Sequence, residues 1–352
     1  MEERTYTYII VGAGLAGASA IEGIRENDPD SSILFIGDEN HLPYHRPPLT
    51  KSLWSGTKTV RNIIIEDDEF YDKNSVTLQT GRRITELDAR EKTITDMTGQ
   101  RYRFDKLLLA TGGTPRTLPI EGGSAEGIIY YRYLDDFTRL KQRLGDAESV
   151  LVIGGSFIGS EIAASLSKQS IEVSMLFPEP YLCSRVFDPD LGHTIQDDYS
   201  HRGIKILSQD KPLRITAESK GYSVDTQSHG TIHTDIIVAG IGILPSVELA
   251  RGAGLDVGNG IIVNEQLQTS HPDIYAAGDN ALFPYQALGR HKRVEHWDNA
   301  IKQGALAGKN MAGAHQEYTY MPYFFSDLFD IGYEAVGETN TAFDIVTDWK
   351  TE

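Results

Sequence analysis

Tyr6-Thr7-Tyr8-Ile9-Ile10-Val11-Gly12-Ala13-Gly14-Leu15-Ala16-Gly17 stands near the start of the chain, and the rest of the sequence is read from it. The apolar run Tyr6 to Val11 predicts a parallel strand buried on both faces. The small residues from Ala18 to about Arg25 predict a helix. Between them the three glycines divide the work. Gly12 makes the tight turn, Gly14 lets backbone N–H groups approach a pyrophosphate, and Gly17 permits close helix–strand packing. The N-terminus of the helix favours the anion. A ribose-binding acid belongs about 20 residues further on, at the end of the next strand. After the apolar run Ser32 to Ile36, Asp38 and Glu39 stand there.

The pattern recurs about 140 residues later, as expected of two doubly wound domains. Ser149 to Ile153 predicts a strand, Gly154-Gly155-Ser156-Phe157-Ile158-Gly159 a turn, and the following residues a helix to about Lys168. Glu172 to Phe177 is the next strand. The middle glycine of the motif is replaced by Ser156, whose hydroxymethyl group either crowds a pyrophosphate or donates to it. Glu179 follows the strand, where a carboxylate accepts from both ribose hydroxyls and repels a 2′-phosphate. That favours NADH over NADPH. Lys106 to Ala110, ending in Thr111-Gly112-Gly113, adds a further short apolar run, as do Asp235 to Ala239 and Asp273 to Ala277.

Composition narrows the function. The chain has 352 residues, is 40% hydrophobic and 24% charged, and carries a net charge of −17. A globular protein of two or three domains fits these values. The acidic balance argues against nucleic-acid binding, which needs clustered Lys and Arg. No apolar window is long enough for a membrane helix. The single cysteine, Cys183, makes no internal disulfide, CxxC pair or Cys-based zinc site. His41 and His45 lack carboxylates at ligand spacing, so no metal site is expected. Ile158 occupies the second glycine position of a GxSxG nucleophile turn, which excludes that motif. The apolar strand begins right after Arg4, leaving no room for a leader, so the expected location is the cytoplasm. The alternative is an organelle, for a form that has lost its presequence.

Longer strings carry a resemblance. They are Leu42-Pro43-Tyr44-His45-Arg46-Pro47-Pro48-Leu49-Thr50-Lys51-Ser52-Leu53-Trp54, Ala110-Thr111-Gly112-Gly113-Thr114-Pro115-Arg116 and Thr269-Ser270-His271-Pro272-Asp273-Ile274-Tyr275-Ala276-Ala277-Gly278-Asp279. Arg293-Val294-Glu295-His296, Phe325-Ser326-Asp327-Leu328 and Gly332-Tyr333-Glu334-Ala335-Val336-Gly337 complete the set. With them the chain resembles the FAD-dependent pyridine-nucleotide oxidoreductases, first the apoptosis-inducing-factor branch and next the ferredoxin reductases of oxygenase systems. The resemblance implies an α/β fold of two Rossmann-like dinucleotide-binding domains, one inserted in the other. FAD would be held by 1–114 and 246–320, and NADH by 115–245. Residues 321–352 would form a short, truncated α+β piece.

Roles follow from the resemblance residue by residue. Around FAD it places the turn Gly12, Ala13, Gly14, Leu15, Ala16 and Gly17, then Asp38 and Glu39. Arg46 would lie near the phosphates, where a planar guanidinium suits a diphosphate. Lys51 would stand beside flavin N5 with Glu161 as its partner. Ile84 would touch the adenine through its backbone. Ala110, Thr111 and Gly112, Arg132, Gly278, and Asp279 on the ribityl chain follow. Asp279 fits a helix N-cap as well. Glu295, His296 and Trp297 would lie at the pyrimidine end, with Phe325 near the ring. For NADH the resemblance implies Gly154, Gly155, Ser156, Phe157, Ile158, Glu161, Glu179, Arg185, Gly242, Glu295, His296 and Glu334. Phe157 would act as an aromatic lid or serve as an ordinary core residue. Lys51, Glu161 and His296 are the catalytic candidates.

The expected function is therefore an FAD-dependent NADH oxidoreductase that passes electrons to an acceptor or a redox-dependent conformational signal. Candidate acceptors are a ferredoxin- or rubredoxin-type protein, a quinone or oxygen. A reductase component of an electron-transfer chain and an NADH-sensing interaction module are the alternatives. A homodimer is the expected self-partner.

Overall fold

The computed structural model describes residues 3–348. They divide into two compact units. One comprises the chain up to His45 with Val60–Thr114 and Leu244–Phe324; the other comprises Arg46–Thr59, Pro115–Ile243 and the residues from Phe325. Hydropathy periodicity gives no sign that 46–59 and the segment from Phe325 group with the second glycine turn.

In the first unit the opening strand, Arg4–Val11, lies inside a parallel sheet. The order is Val76–Gln79, Ile33–Ile36, Arg4–Val11, Arg101–Leu109. Ile9 sits between Leu34 on one side and Leu107 on the other. Ile9, Ile10, Leu34 and Leu107 are fully buried, because both faces of a parallel sheet are covered. The strand Arg101–Leu109 begins earlier than the apolar run expected at Lys106. Its first half alternates exposed and buried residues and pairs antiparallel with Thr93–Asp96. Its second half pairs in parallel with Ile274–Ala276. One strand thus carries two hydropathy patterns, and only the second is a continuous apolar run.

The helix after the glycine turn is Leu15–Asn27, three residues longer at its start than the apolar pattern suggests. It packs on the helix Trp297–Met311. A Cβ on Gly304 would lie 2.1 Å from the Ala16 carbonyl oxygen, and one on Gly308 would lie 2.1 Å from that of Ala20. Small residues on both helices let the two backbones meet. A four-stranded sheet of Val257–Gly258, Gly260–Ile262, Ala281–Tyr285 and Arg290–Lys292 completes this unit.

The second unit holds a five-stranded parallel sheet in the order Lys205–Leu207, Glu172–Leu176, Ser149–Ile153, Ile236–Ala239, Ile129–Tyr130. Val152 lies between Met175 and Val238. The helix Phe157–Leu166 follows the second glycine turn and tightens into a 3₁₀ turn at Ser167–Gln169. An antiparallel sheet of Pro212–Ala217, Tyr222–Thr226 and Thr231–Thr234 contributes Ile215, Tyr222 and Val224 to the core around Leu151 and Ile237. The strands Tyr323–Leu328 and Ile331–Val336 pair as a hairpin. Among the described residues no helix is long and apolar enough to cross a membrane.

Candidate functional site

The first glycine turn has the geometry its spacing predicts. Gly12 has φ +113°, and a Cβ there would lie 2.1 Å from the Ala110 carbonyl oxygen, so only glycine fits. A Cβ on Gly17 would lie 2.4 Å from the Gly12 carbonyl oxygen, which brings the helix hard against the turn. Gly14 differs: no protein atom lies within 4 Å of where its Cβ would stand. It is the N-cap of Leu15–Asn27, and no side chain caps that helix. The first N–H groups of a helix have no intrahelical partner. Open space over Gly14 beside uncapped N–H groups fits the pyrophosphate of a dinucleotide such as FAD.

Ala13 and Leu15 are half-buried and Ala16 is buried. Asp38 is exposed after the strand Ile33–Ile36; Glu39 is half-buried and accepts from the Tyr44 hydroxyl at 2.6 Å. Ile84 is buried at the start of the strand Ile84–Asp88. Ala110, Thr111 and Gly112 leave the end of Arg101–Leu109 beside the Gly12 turn. Thr111 Oγ1 donates to the Ser246 carbonyl and accepts from Asn280 Nδ2 at 2.9 Å. Asn280 Nδ2 also reaches the Leu109 carbonyl at 3.1 Å. The Gly278 N–H donates to Gln303 Oε1 at 2.9 Å, and Asp279 is half-buried with its carbonyl accepting from Arg293 Nη1. Asn280 and Gln303 are fully buried and fix the two loops. Sequence reasoning missed both, although Asn280 adjoins Asp279 directly.

Glu295 is exposed and pairs with Arg293 at 2.5 Å. His296 occupies the N-cap position of the helix Trp297–Met311 without a side-chain bond to it, and its ring lies 4.1 Å from that of Phe324. Trp297 is exposed and donates through Nε1 to His45 Nδ1 at 3.1 Å.

The second unit brings Lys51 and Glu161 together. Lys51 follows the 3₁₀ helix Pro47–Thr50, and Glu161 lies on the inner face of Phe157–Leu166. Their charged atoms are 3.2 Å apart, with Glu161 buried. Three further residues complete the group. Thr50 Oγ1 donates to Glu161 Oε2 at 2.6 Å, and Ser326 Oγ donates to Oε1 at 2.7 Å. Asp327 binds Lys51 from the exposed side at 3.0 Å. The Phe325 ring lies 5.1 Å from the ammonium and is partly exposed. A buried carboxylate needs compensating donors, and here an ammonium and two hydroxyls supply three. Thr50, Ser326 and Asp327 were missed as partners, although all three stand in the strings that carry the resemblance.

Arg46 and Arg132 also meet. Arg46 Nη1 donates to the Arg132 carbonyl at 2.9 Å, and its guanidinium lies 5.2 Å from the Tyr133 ring. Buried Asp136 holds the backbone N–H groups of Arg132 and Tyr133 at 3.0 and 2.8 Å.

The second glycine turn repeats the first in Gly154, with φ +122° and a would-be Cβ 2.4 Å from the Gly240 carbonyl oxygen. Gly155 lies under the Phe177 ring. Ser156 is exposed, and its hydroxyl caps no N–H of the helix it precedes. The group is therefore available to a ligand as a donor. Ile158 is exposed beside it. Phe157 stacks on Tyr333 at 5.8 Å and meets the Phe187 edge at 5.9 Å. Glu179 pairs with exposed Arg185 at 3.6 Å. Gly242 is exposed with φ +89°, and Glu334 is exposed on the strand Ile331–Val336. Cys183 is buried, and burial pushes its thiol up to about 12.

Comparison with known proteins gives the family. Residues 6–304 match the family described as pyridine nucleotide-disulphide oxidoreductase. The chain is 34% identical, over 94% of its length and 81% of the relative's, to the ferredoxin–NAD(+) reductase component of an anthranilate 1,2-dioxygenase system from Burkholderia cepacia. It is 32% identical, over 98% of its length and 70% of the relative's, to mitochondrial apoptosis-inducing factor 1 of Dictyostelium discoideum. A ferredoxin reductase of known structure from Rhodopseudomonas palustris superposes with a TM-score of 0.91 at 33% identity, covering 96% of this chain and 84% of that one. Two glycine turns of dinucleotide-binding geometry, on two parallel sheets, and a match across most of the sequence lead to one conclusion: the chain belongs to the pyridine nucleotide-disulphide oxidoreductase family.

Proposed function

We propose that this FAD-dependent NADH oxidoreductase passes its electrons to a separate carrier protein of the ferredoxin or rubredoxin class. The carrying observation is Cys183. It is the sole cysteine of the chain, buried, with its thiol held protonated at neutral pH. A thiolate is needed for thiol–disulfide chemistry, so no internal disulfide relays electrons and they leave directly to an outside acceptor. The reductases of Burkholderia and Rhodopseudomonas support a ferredoxin-type acceptor. One NADH delivers a hydride, hence two electrons, and two carriers leave with one electron each while a proton passes to solvent.

Bound FAD supplies a two-electron acceptor that can release electrons singly. The first unit binds it through Gly12 to Gly17, the acids at 38 and 39, and the loop 278–279. The second binds NADH through the turn Gly154 to Gly159, with Ser156 donating to the diphosphate. Glu179 accepts from the ribose hydroxyls and disfavours a 2′-phosphate, so NADH is preferred to NADPH. Lys51, held by Glu161, supplies a fixed positive charge where negative charge develops. In the first unit, His296 and Glu295 hold the pyrimidine end of the flavin. A homodimer and a cytoplasmic location, with an organelle as the alternative, complete the reading; a lone cysteine suits a reducing compartment.

The test is NADH oxidation by purified protein, whose flavin acid precipitation should release as FAD. A [2Fe–2S] ferredoxin should accelerate turnover at least about tenfold over air alone. Equal turnover with oxygen or a quinone and no carrier would overturn the assignment of the acceptor.

A further inference from the structure

Glu179 stands three residues beyond the end of its strand, on a loop that needs an anchor if its carboxylate is to select a cofactor. The anchor comes from the segment after the edge strand Lys205–Leu207. The N–H of Gln209 donates to the Glu179 carbonyl at 3.0 Å, and the N–H of Asp210 donates to the Phe177 carbonyl at 3.1 Å. Phe177 N–H in turn reaches the Leu207 carbonyl at 3.2 Å. Phe177-Pro178-Glu179 is thus clamped at both ends. The clamp carries a cost, since Gln209 adopts φ +56°, a conformation side-chain-bearing residues avoid.

Asp210 holds the clamp in that shape. Its side chain is fully buried. Oδ1 accepts from the Lys211 and Ser228 N–H groups at 2.7 and 3.1 Å. Oδ2 accepts from the His229 N–H at 3.2 Å and is 2.6 Å from His229 Nδ1. Of these partners, Ser228 and His229 belong to the turn 227–230 between the strands Tyr222–Thr226 and Thr231–Thr234. Burial pushes the carboxyl up, but the bonds from His229, Lys211, Thr226 and Ser228 outweigh it and hold it below the ordinary carboxylate value.

We infer that Asp210 is a positioning residue for dinucleotide selection: its buried carboxylate, fastened to the 227–230 turn, holds the Gln209-Asp210 backbone that fixes Glu179. The inference rests on the reading of Glu179 as the ribose acceptor. Asp210 touches no substrate. It acts by keeping the Glu179 carboxylate where two hydroxyls can use it and a 2′-phosphate cannot avoid it.

The experiment compares holoenzyme variants Asp210→Asn, His229→Ala, Glu179→Gln and Asp235→Asn, measuring KM and kcat for NADH and NADPH together with Tm. Asp235 is the control. It is a structural carboxylate that caps the Glu148 and Ser149 N–H groups at the start of the central strand. Asp210→Asn should raise KM for NADH about tenfold, leave kcat within about twofold, and narrow the NADH-to-NADPH preference by a similar factor. His229→Ala, which leaves the backbone donors in place, should move the same ratio about threefold and keeps the test alive if Asp210→Asn fails to fold. Asp235→Asn should lower Tm without moving the ratio. Glu179→Gln combined with His229→Ala should narrow the preference no further than Glu179→Gln alone. An unchanged ratio in His229→Ala and Asp210→Asn, with Glu179→Gln altered, overturns the role of Asp210 and leaves Glu179 standing. An unchanged ratio in Glu179→Gln overturns both.

Discussion

The side chain on which most depends is Glu161, a buried carboxylate with an ammonium on one side and two hydroxyls on the other. Removing the carboxylate and removing the ammonium are different perturbations. Glu161→Ala leaves Lys51 with exposed Asp327 as its remaining ion-pair partner, removes the acceptor of the Ser326 hydroxyl and leaves Thr50 only the Pro47 carbonyl at 3.2 Å. Loss of one member of a buried pair costs about 3–5 kcal/mol, so this variant should melt well below the parent. Lys51→Ala leaves the buried Glu161 charge with two hydroxyl donors and no counter-ion, so its Tm should fall as well. It should retain FAD, while flavin reduction by NADH slows on the order of a hundredfold. Rapid-mixing absorbance with parallel melting curves checks this. An unchanged reduction rate in a stable Lys51→Ala protein removes the lysine from the mechanism.

At the scale of elements, the fold depends on how helices leave and re-enter the sheets. The helix Leu15–Asn27 ends at Asp28, whose carboxylate accepts from the Ser31 and Asp30 N–H groups and from the Tyr8 hydroxyl at 2.8 Å. Bonds from Ser31 above all, with those from Tyr8 and Asp30, overcome burial and hold this carboxyl at about 2. A depressed folded value means the stabilisation is complete above the unfolded pKa of about 3.9 and is lost as pH falls through the folded one. Asp28→Asn should therefore be less stable than the parent at pH 7, and the gap should close between about pH 4 and pH 2. Denaturant melts across that range measure it; a gap independent of pH would show that the charge contributes nothing.

For the whole molecule the net charge of −17 sets the terms of association. Like charge opposes both a dimer and an acidic carrier, and salt screens it beyond about 8 Å at physiological strength. If NADH drives self-association, light scattering should give a higher mass with NADH than without, and more clearly at about 0.15 M salt than at 0.01 M. The same mass in both states refutes a redox switch and leaves the oxidoreductase assignment intact.

The sequence by itself determined the central strands of both parallel sheets and both glycine turns. A buried strand declares itself by a continuous apolar run, and a position such as Gly12, with φ +113° and a carbonyl 2.1 Å from its missing Cβ, admits one residue. These constraints are local, so Gly12 to Gly17 and Gly154 to Gly159 are legible without coordinates. The strand Arg101–Leu109 was legible only in its apolar second half, because its first half changes partner and pattern. The tertiary structure alone decided which polar side chains meet. Thr50 and Ser326 converge on Glu161 from 111 and 165 residues away, and Asp210 reaches His229 across 19. Such contacts leave no periodicity along the chain, since what requires them is the desolvation of a buried charge, a condition that exists only after the chain has folded around it.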